Sequence, residues 1–189
     1  MAMKSGERRL QILQTLAAML ENPRGEKVTT AALAAKLGVS EAALYRHFAS
    51  KAQMFEGLIE FIETTLFSFV NKITAETTDG VAQAEQAVVM LLSFAEKNPG
   101  MTRVLIGEAL VNEDERLQAR INQLTDKLEA SLRQSLRIAQ AANGWHGDAQ
   151  ADAAVLIAYV LGRWQLYAKS GFKRTPQDGW ALQRKFLFG

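Results

Sequence analysis

The segment TTAALAAKLGVSEAALYRHFASK, residues 29–51, decides the fold of the N-terminal part of the chain. Thr29 or Thr30 is suited to capping a first short helix, because a threonine oxygen accepts from the free N–H groups of the first turn. Gly38 follows where a left-handed backbone commonly ends a helix, and Ser40 is suited to capping a second helix. The segment therefore predicts two short helices joined by a tight turn.

The two faces of this predicted motif differ in chemistry. The residues expected to face inward are Leu33, Ala34, Leu37, Val39, Leu44 and Phe48. The residues expected nearest DNA bases are Ser40, Ala42, Ala43 and Arg46, and those expected at phosphates are Tyr45, His47 and Lys51, with Thr29 and Thr30 at the start of the first helix. Small residues permit close approach to a surface, and the donors suit phosphate oxygens. Two helices around a glycine turn also occur in proteins that bind no DNA, so spacing alone leaves that alternative open.

The residues LYRHF at 44–48, followed by Ser50 and Lys51, resemble the helix-turn-helix of the TetR family. The resemblance implies an all-α protein with a three-helix DNA-binding head at residues 1–50. It also implies a helical core at residues 51–189 for dimerisation and partner binding. A short recognition helix grips DNA weakly, so two heads on a two-fold axis would match a palindromic site.

Charge is concentrated around the motif. Residues 1–51 carry eight cations and four anions, a net charge of +4, while the rest of the chain carries fourteen cations and sixteen anions, a net charge of −2. A basic head on a near-neutral chain is the electrostatic pattern expected of DNA binding. A solvated face can reach the same charge by chance, so this pattern supports the prediction without deciding it.

Composition excludes several function classes. The chain of 189 residues has no cysteine, and its two histidines, His47 and His146, are far apart in sequence. A thiol nucleophile, a cysteine-based zinc site and a histidine metal cluster are therefore not expected, and we expect no catalytic site, metal or cofactor. No apolar run is long enough to span a membrane, and no signal-peptide core is present. The expectation is a soluble cytoplasmic protein.

Helical periodicity predicts the remaining organisation. A first helix over about 7–21 carries Leu10, Leu13, Leu16, Ala17 and Leu20, and residues 22–25 end it. The further predicted helices are a linking helix from Ser50 with apolar residues Phe55 to Ile73, a helix over 81–97, a short one over 101–110, and long ones over 113–142 and 148–170. The two long helices have broad apolar surfaces, so we expect them to form a four-helix bundle between two subunits. Packing within one subunit is the alternative.

Two aromatic residues of the linking helix lie off its apolar face. Phe61 and Phe67 project about 120° to either side of Phe55 at 100° per residue. A neighbouring helix could cover both rings. The functional alternative is that they are exposed anchors for a protein partner.

Three segments outside the motif extend the resemblance. They are the linking helix to residue 63, FAEKNPGMTRVLIGEAL at 94–110 and ERLQARINQL at 115–124. They resemble the nucleoid occlusion branch of the TetR family. That resemblance implies a DNA-bound dimer, associated with the nucleoid, that binds the division protein FtsZ and blocks division-ring assembly. Phe61, Lys97 and Asn98 match the FtsZ-facing pattern, whereas Phe69 stands where a basic residue is expected.

One other function within the TetR class stays open at this point. A TetR-type transcriptional repressor would bind a small ligand in a cavity of the C-terminal core. Tyr159, Trp164 and Tyr167 could line such a cavity, although aromatic residues at helical spacing are more often core.

Overall fold

The computed structural model describes residues 5–22 and 28–189, all of whose regular elements are helical. Nine α-helices run in the order α1 Ser5–Leu20, α2 Thr30–Leu37, α3 Glu41–Tyr45, α4 Lys51–Glu76, α5 Gly80–Lys97, α6 Pro99–Leu105, α7 Glu115–Ala141, α8 Ala149–Lys169 and α9 Trp180–Phe188. A 3₁₀ helix at Glu108–Leu110 lies between α6 and α7. No helix in the described ranges is long and apolar enough to cross a membrane. The predicted loop over 22–25 falls outside the described residues after Asn22, as do three of the cations counted in the head, Lys4, Arg24 and Lys27.

Local capping explains where the predicted helices begin. The Thr29 hydroxyl accepts from the Ala32 N–H at 3.1 Å, so Thr29 rather than Thr30 is the cap of α2. Ser40 caps α3, and Gly38 ends α2 with φ of +67°, as predicted. Asp148 caps α8 by accepting from two backbone N–H groups of its first turn. These three helix starts follow from short-range hydrogen bonding, which sequence spacing can reveal.

Two compact units divide the chain. The N-terminal unit comprises Met1–Ile62 and Asn98–Ile121, and the C-terminal unit comprises Glu63–Lys97 and Asn122–Gly189. Helices α4 and α7 contribute residues to both. The head predicted for residues 1–50 falls within the N-terminal unit, which also contains α6 and the 3₁₀ helix. The domain boundary at residue 50 stays a prediction.

The N-terminal unit is held together by α6 lying directly against α1. A Cβ placed on Gly100 would lie 1.9 Å from the carbonyl oxygen of Ala17, so the backbones of α6 and α1 are in direct contact. The guanidinium of Arg103 is buried and donates to the carbonyls of Leu20 and Asn22 at 3.0 and 2.9 Å. These bonds satisfy carbonyl groups that the end of α1 leaves without helical partners. Arg103 therefore fixes α6 to the C-terminal end of α1.

The C-terminal unit has a core formed by α5, α7 and α8. The indole N–H of Trp164 donates to the Leu91 carbonyl, and the Tyr167 hydroxyl donates to the Glu96 carbonyl, both at 3.1 Å. A Cβ on Gly80 would lie 2.2 Å from the Ser135 carbonyl oxygen, so α5 begins directly against the α7 backbone. The core is consequently dense and its buried polar side-chain groups at these points are paired.

Four details of the helices differ from the sequence-based prediction. The helix predicted over 101–110 is instead α6 and a separate 3₁₀ helix, because Gly107 adopts φ of +77° between them. In α1 the predicted residues are buried except for Leu10, which is exposed, and Ile12 is buried in addition. Phe69, which the periodicity assigned to the core face of α4, is 44% exposed. Finally, α3 ends at Tyr45. Phe48 is therefore a buried residue of the turn that follows α3, not of the helix itself.

Candidate nucleic-acid interface and partner surfaces

The recognition segment is a short helix that buries two apolar side chains. Helix α3 has five residues, and Leu44 and Phe48 are both almost completely buried beneath it. The guanidinium of Arg9 lies 4.1 Å from the centroid of the Phe48 ring and donates to the His47 carbonyl. The cation–π contact and the hydrogen bond attach the end of this segment to α1. The geometry of the recognition segment is thus set by α1 as well as by its own turn.

The predicted DNA-binding residues largely share the outer surface of the motif. Exposed among them are Ser40, Ala42, Tyr45 and Arg46. Ala43 and His47 are half-buried. The Ser40 oxygen accepts from the Ala43 N–H at 3.3 Å, so it is engaged in capping. This arrangement offers donors at the end of α3 and small side chains at its start, which suits close approach to a groove.

Lys51 has a protein partner. Its ammonium lies 2.5 Å from the carboxylate of Glu113, and only 22% of the Lys51 side chain and 11% of the Glu113 side chain are exposed. A phosphate contact would require this ammonium to share or exchange its partner. Helical spacing cannot predict this pair, because the two residues are 62 positions apart.

Sequence reasoning also missed a polar chain on the outer surface of the motif. The Thr30 hydroxyl donates to the Glu41 carboxylate at 2.7 Å, and the Tyr45 hydroxyl donates to the Thr30 oxygen at 3.5 Å. Glu41 is the first residue of α3, and the first residues of a recognition helix contact bases in helix-turn-helix proteins. This position could have marked Glu41 as a candidate DNA-binding residue from the sequence.

An open groove lies between α4 and α5 in the C-terminal unit, with a volume of about 620 Å³. The apolar side chains that line it are Phe69, Ile73, Val89 and Met90, and the charged ones are Lys72, Glu76 and Glu85. Glu85 is paired with Arg184 of α9 at 2.6 Å. The exposed ring of Phe69 therefore lines a groove, which explains why helical periodicity misplaced it.

The predicted FtsZ-facing residues lie in different units. Phe61 is a half-buried residue of the N-terminal unit, and Asn98 is half-buried at the start of α6 in the same unit. Lys97 is the exposed last residue of α5 in the C-terminal unit. It follows the groove residue Ser93 by four positions, which places both on one face of α5.

The exposed apolar surface of the C-terminal helices lies on α8 and α9. The exposed large side chains are Val155, Leu166, Leu182 and Phe186, and small residues Ala151, Ala154, Ala158 and Gly162 complete the exposed face of α8. In α7 the periodic leucines are buried, among them Leu132, whereas Ile138 is half-buried and the exposed side chains are mostly polar. The periodic leucines of α7 thus pack in the core of their own subunit, and the predicted bundle of α7 and α8 between two subunits stays a prediction.

Each of the aromatic residues considered for a ligand cavity packs against another helix, and two of them belong to the core. Trp164 and Tyr167 are buried and hydrogen-bonded to α5, as described above. Tyr159 is half-buried, donates to the Gln183 side chain and lies against the Trp180 ring of α9. Burial raises the pKa of the Tyr159 phenol. These contacts account for all three rings as packing residues.

The fold and the motif define the class of this protein. The profile described as "Bacterial regulatory proteins, tetR family" matches residues 17–58. The crystal structure of the TetR-family transcriptional regulator PfmR from Thermus thermophilus matches with a TM-score of 0.76 over 94% of this chain and 96% of that one, at 21% identity. The chain accordingly has the fold of a TetR-family regulator, with a TetR-type motif in its N-terminal unit.

Two curated relatives and a second profile identify the branch. The nucleoid occlusion factor SlmA of Alteromonas mediterranea is 51% identical, with 94% of this chain and 92% of the relative covered. The SlmA of a Marinomonas species is 50% identical over 97% of this chain and 94% of its own length. The profile of SlmA-like "Tetracyclin repressor-like, C-terminal domain" matches residues 78–189. The chain belongs to the SlmA family of nucleoid occlusion factors, which are DNA-binding regulators of the TetR class rather than enzymes.

Proposed function

We propose that this protein is a nucleoid occlusion factor that binds palindromic chromosomal sites as a dimer and, from there, prevents FtsZ from assembling a division ring. The main support is the sequence identity of about 50% to curated nucleoid occlusion factors over nearly the whole of both chains. Such similarity includes the C-terminal core, where regulators of the same fold differ most, and so it favours a shared partner as well as a shared fold.

The DNA-binding part of the proposal rests on the motif of the N-terminal unit. Tyr45, His47 and Lys51 would hold phosphates, and Ser40, Ala42, Ala43 and Arg46 would lie nearest the bases, with Thr29 and Thr30 beside the backbone. Alanine side chains supply no hydrogen bonds to base edges, so DNA shape should contribute to site preference. Binding in this way would localise the protein to the nucleoid.

The dimeric part of the proposal rests on the exposed face of α8 with the outer side of α9. Small side chains allow two helices to approach closely, and Leu166 and Phe186 add apolar area that water would otherwise contact. A two-fold axis through this face would present two heads to the two halves of a palindrome.

The FtsZ-binding part of the proposal rests on the groove of the C-terminal unit. An extended peptide with apolar and acidic residues would find an apolar floor at Phe69 and Met90 and a cation at Lys72. Lys97, one turn beyond Ser93 on α5, would add a second cation beside the groove, whose own cation Lys72 lies 3.8 Å from Glu76. Phe61 and Asn98 are proposed separately, as FtsZ contacts of the N-terminal unit.

The test separates DNA binding from the effect on FtsZ. Phe69→Ala and Lys97→Glu are expected to bind DNA with the wild-type Kd in fluorescence anisotropy but to lose the disruption of FtsZ polymers in cosedimentation. Loss of an aromatic anchor typically costs on the order of 2 kcal/mol, about thirtyfold in Kd. Phe67→Ala is the matched control, since Phe67 is a half-buried phenylalanine on the same helix that does not line the groove.

The outcomes distinguish the proposal from a ligand-regulated repressor. A wild-type effect on FtsZ in both Phe69→Ala and Lys97→Glu would contradict the groove as the partner site. Absence of any wild-type effect on FtsZ, with specific DNA binding intact, would favour the repressor. Phe61→Ala serves as a separate probe: if it loses DNA binding and FtsZ binding together, the ring is part of the packing of its unit.

A further inference from the structure

We infer that Glu41 is a specificity-determining residue, which accepts a hydrogen bond from the amino group of a cytosine in each half of the DNA site, and that Thr30 positions it. The inference rests on the proposed DNA binding and adds to it which base the protein selects. Glu41 is the first residue of α3, and its side chain is exposed.

The neighbours of Glu41 have little capacity to distinguish bases by hydrogen bonding. The Ser40 oxygen is engaged by the Ala43 N–H. Ala42 and Ala43 present methyl groups, which can contact a thymine methyl but neither donate nor accept. In the first turn of α3, the part of a recognition helix that faces base edges, Glu41 therefore carries the strongest hydrogen-bonding group.

The carboxylate is held in place by a residue of the other helix. The Thr30 hydroxyl donates to one oxygen, Oε2, at 2.7 Å, across the turn between α2 and α3. The other oxygen, Oε1, accepts no hydrogen bond from the residues that the structure describes. Oε2 thus fixes the orientation of the side chain, and Oε1 can accept a hydrogen bond from a base. Because the side chain is already ordered, a base contact costs less conformational entropy.

The chemistry of the carboxylate selects one base. An ionised carboxylate only accepts, so it requires a donor at the base edge. In the major groove, cytosine presents its N4 amino group, whereas guanine presents the acceptors N7 and O6 and thymine the acceptor O4. Adenine presents an amino group beside the N7 acceptor, which repels a second carboxylate oxygen. Cytosine is therefore the base that fits.

The charge of Glu41 makes the contact selective. A negative side chain on a DNA-facing surface weakens attraction to phosphates at every sequence. That cost is offset only where the carboxylate meets an amino group. Sites without cytosine at this position are thus penalised twice, by an unpaired acceptor and by repulsion.

The experiment is selection from a random duplex library, followed by anisotropy on single-base variants of the selected site. Wild-type protein is expected to select a cytosine at one symmetric position in each half-site, with about tenfold weaker binding per half-site when that base is replaced. Glu41→Gln is expected to change the preference to adenine, because an amide can donate to N7 and accept from N6. Thr30→Val is expected to keep cytosine with reduced discrimination.

A control and the thermal midpoint distinguish a base contact from a role in folding. Glu21→Gln removes the same charge at the exposed end of α1 and is expected to leave base preference unchanged. Glu41→Gln retains an acceptor for Thr30, so its Tm is expected to match the wild type. An unchanged base preference in Glu41→Gln, with affinity raised equally for all sequences, would overturn the inference. Failure of the wild-type protein to select any site would overturn the proposed function instead.

Discussion

The ion pair of Lys51 and Glu113 leads to a quantitative prediction for DNA binding. A Lys51 ammonium that moves to a phosphate must leave a carboxylate 2.5 Å away. The pair is largely buried, and we take its contribution as about 1 kcal/mol, the upper end of the range measured for screened pairs. A dimer contains two pairs, which together oppose DNA binding by about 2 kcal/mol, or about thirtyfold in Kd.

Replacing Glu113 removes this competition. Glu113→Gln is therefore expected to tighten DNA binding by up to about thirtyfold, while lowering the free energy of unfolding by about 1 kcal/mol per subunit. Lys51→Ala is expected to weaken binding to all sequences alike. It should also reduce the slope of log K against log salt concentration by about 0.9 for each lost phosphate contact.

The assay is fluorescence anisotropy of labelled duplex at several salt concentrations, with chemical denaturation of the same preparations. Glu115→Gln is the matched control, because it removes the same charge two residues away from an exposed side chain. If Glu113→Gln binds DNA no more tightly than Glu115→Gln, the competition does not exist. If Lys51→Ala keeps the wild-type salt slope, Lys51 does not contact a phosphate.

Three further predictions concern stability and assembly. Gly100→Ala should lower the free energy of unfolding by about 3 kcal/mol, measured by denaturant titration, because its methyl group would meet the Ala17 carbonyl; an unchanged midpoint would refute that contact. Leu166→Glu, 37% exposed on α8, should give monomers with wild-type helicity in light scattering, and a persisting dimer would place the interface elsewhere. Burial raises the pKa of Tyr159, so the neutral phenol favours the folded state: stability is complete below about pH 10 and declines as the pH rises through the folded pKa. Tyr159→Phe should remove that decline in thermal melts between pH 9 and 12, whereas an identical pH profile would exclude the phenol as its source.

Features that depend on neighbouring residues could be predicted from the sequence. The caps at Thr29, Ser40 and Asp148 and the left-handed turn at Gly38 each use groups within a few positions. Helical periodicity likewise located the long helices to within about two residues at each end. Periodicity was less reliable where one side of a helix meets a groove, since Phe69 follows the core spacing yet lies at the surface.

The sequence by itself thus determined the helical class, the helix-turn-helix and the family, because these depend on short-range hydrogen bonding, apolar spacing and recognisable motifs. Only the tertiary structure decided which charged groups are paired and which apolar faces remain exposed. Lys51 pairs with Glu113, which is 62 positions away in the sequence. Arg103 donates to carbonyls at the end of α1 that are more than 80 positions away. The exposed apolar face of α8 is likewise visible only in the tertiary structure. Burial depends on packed neighbours, and the sequence of a single helix does not show which neighbours it will have.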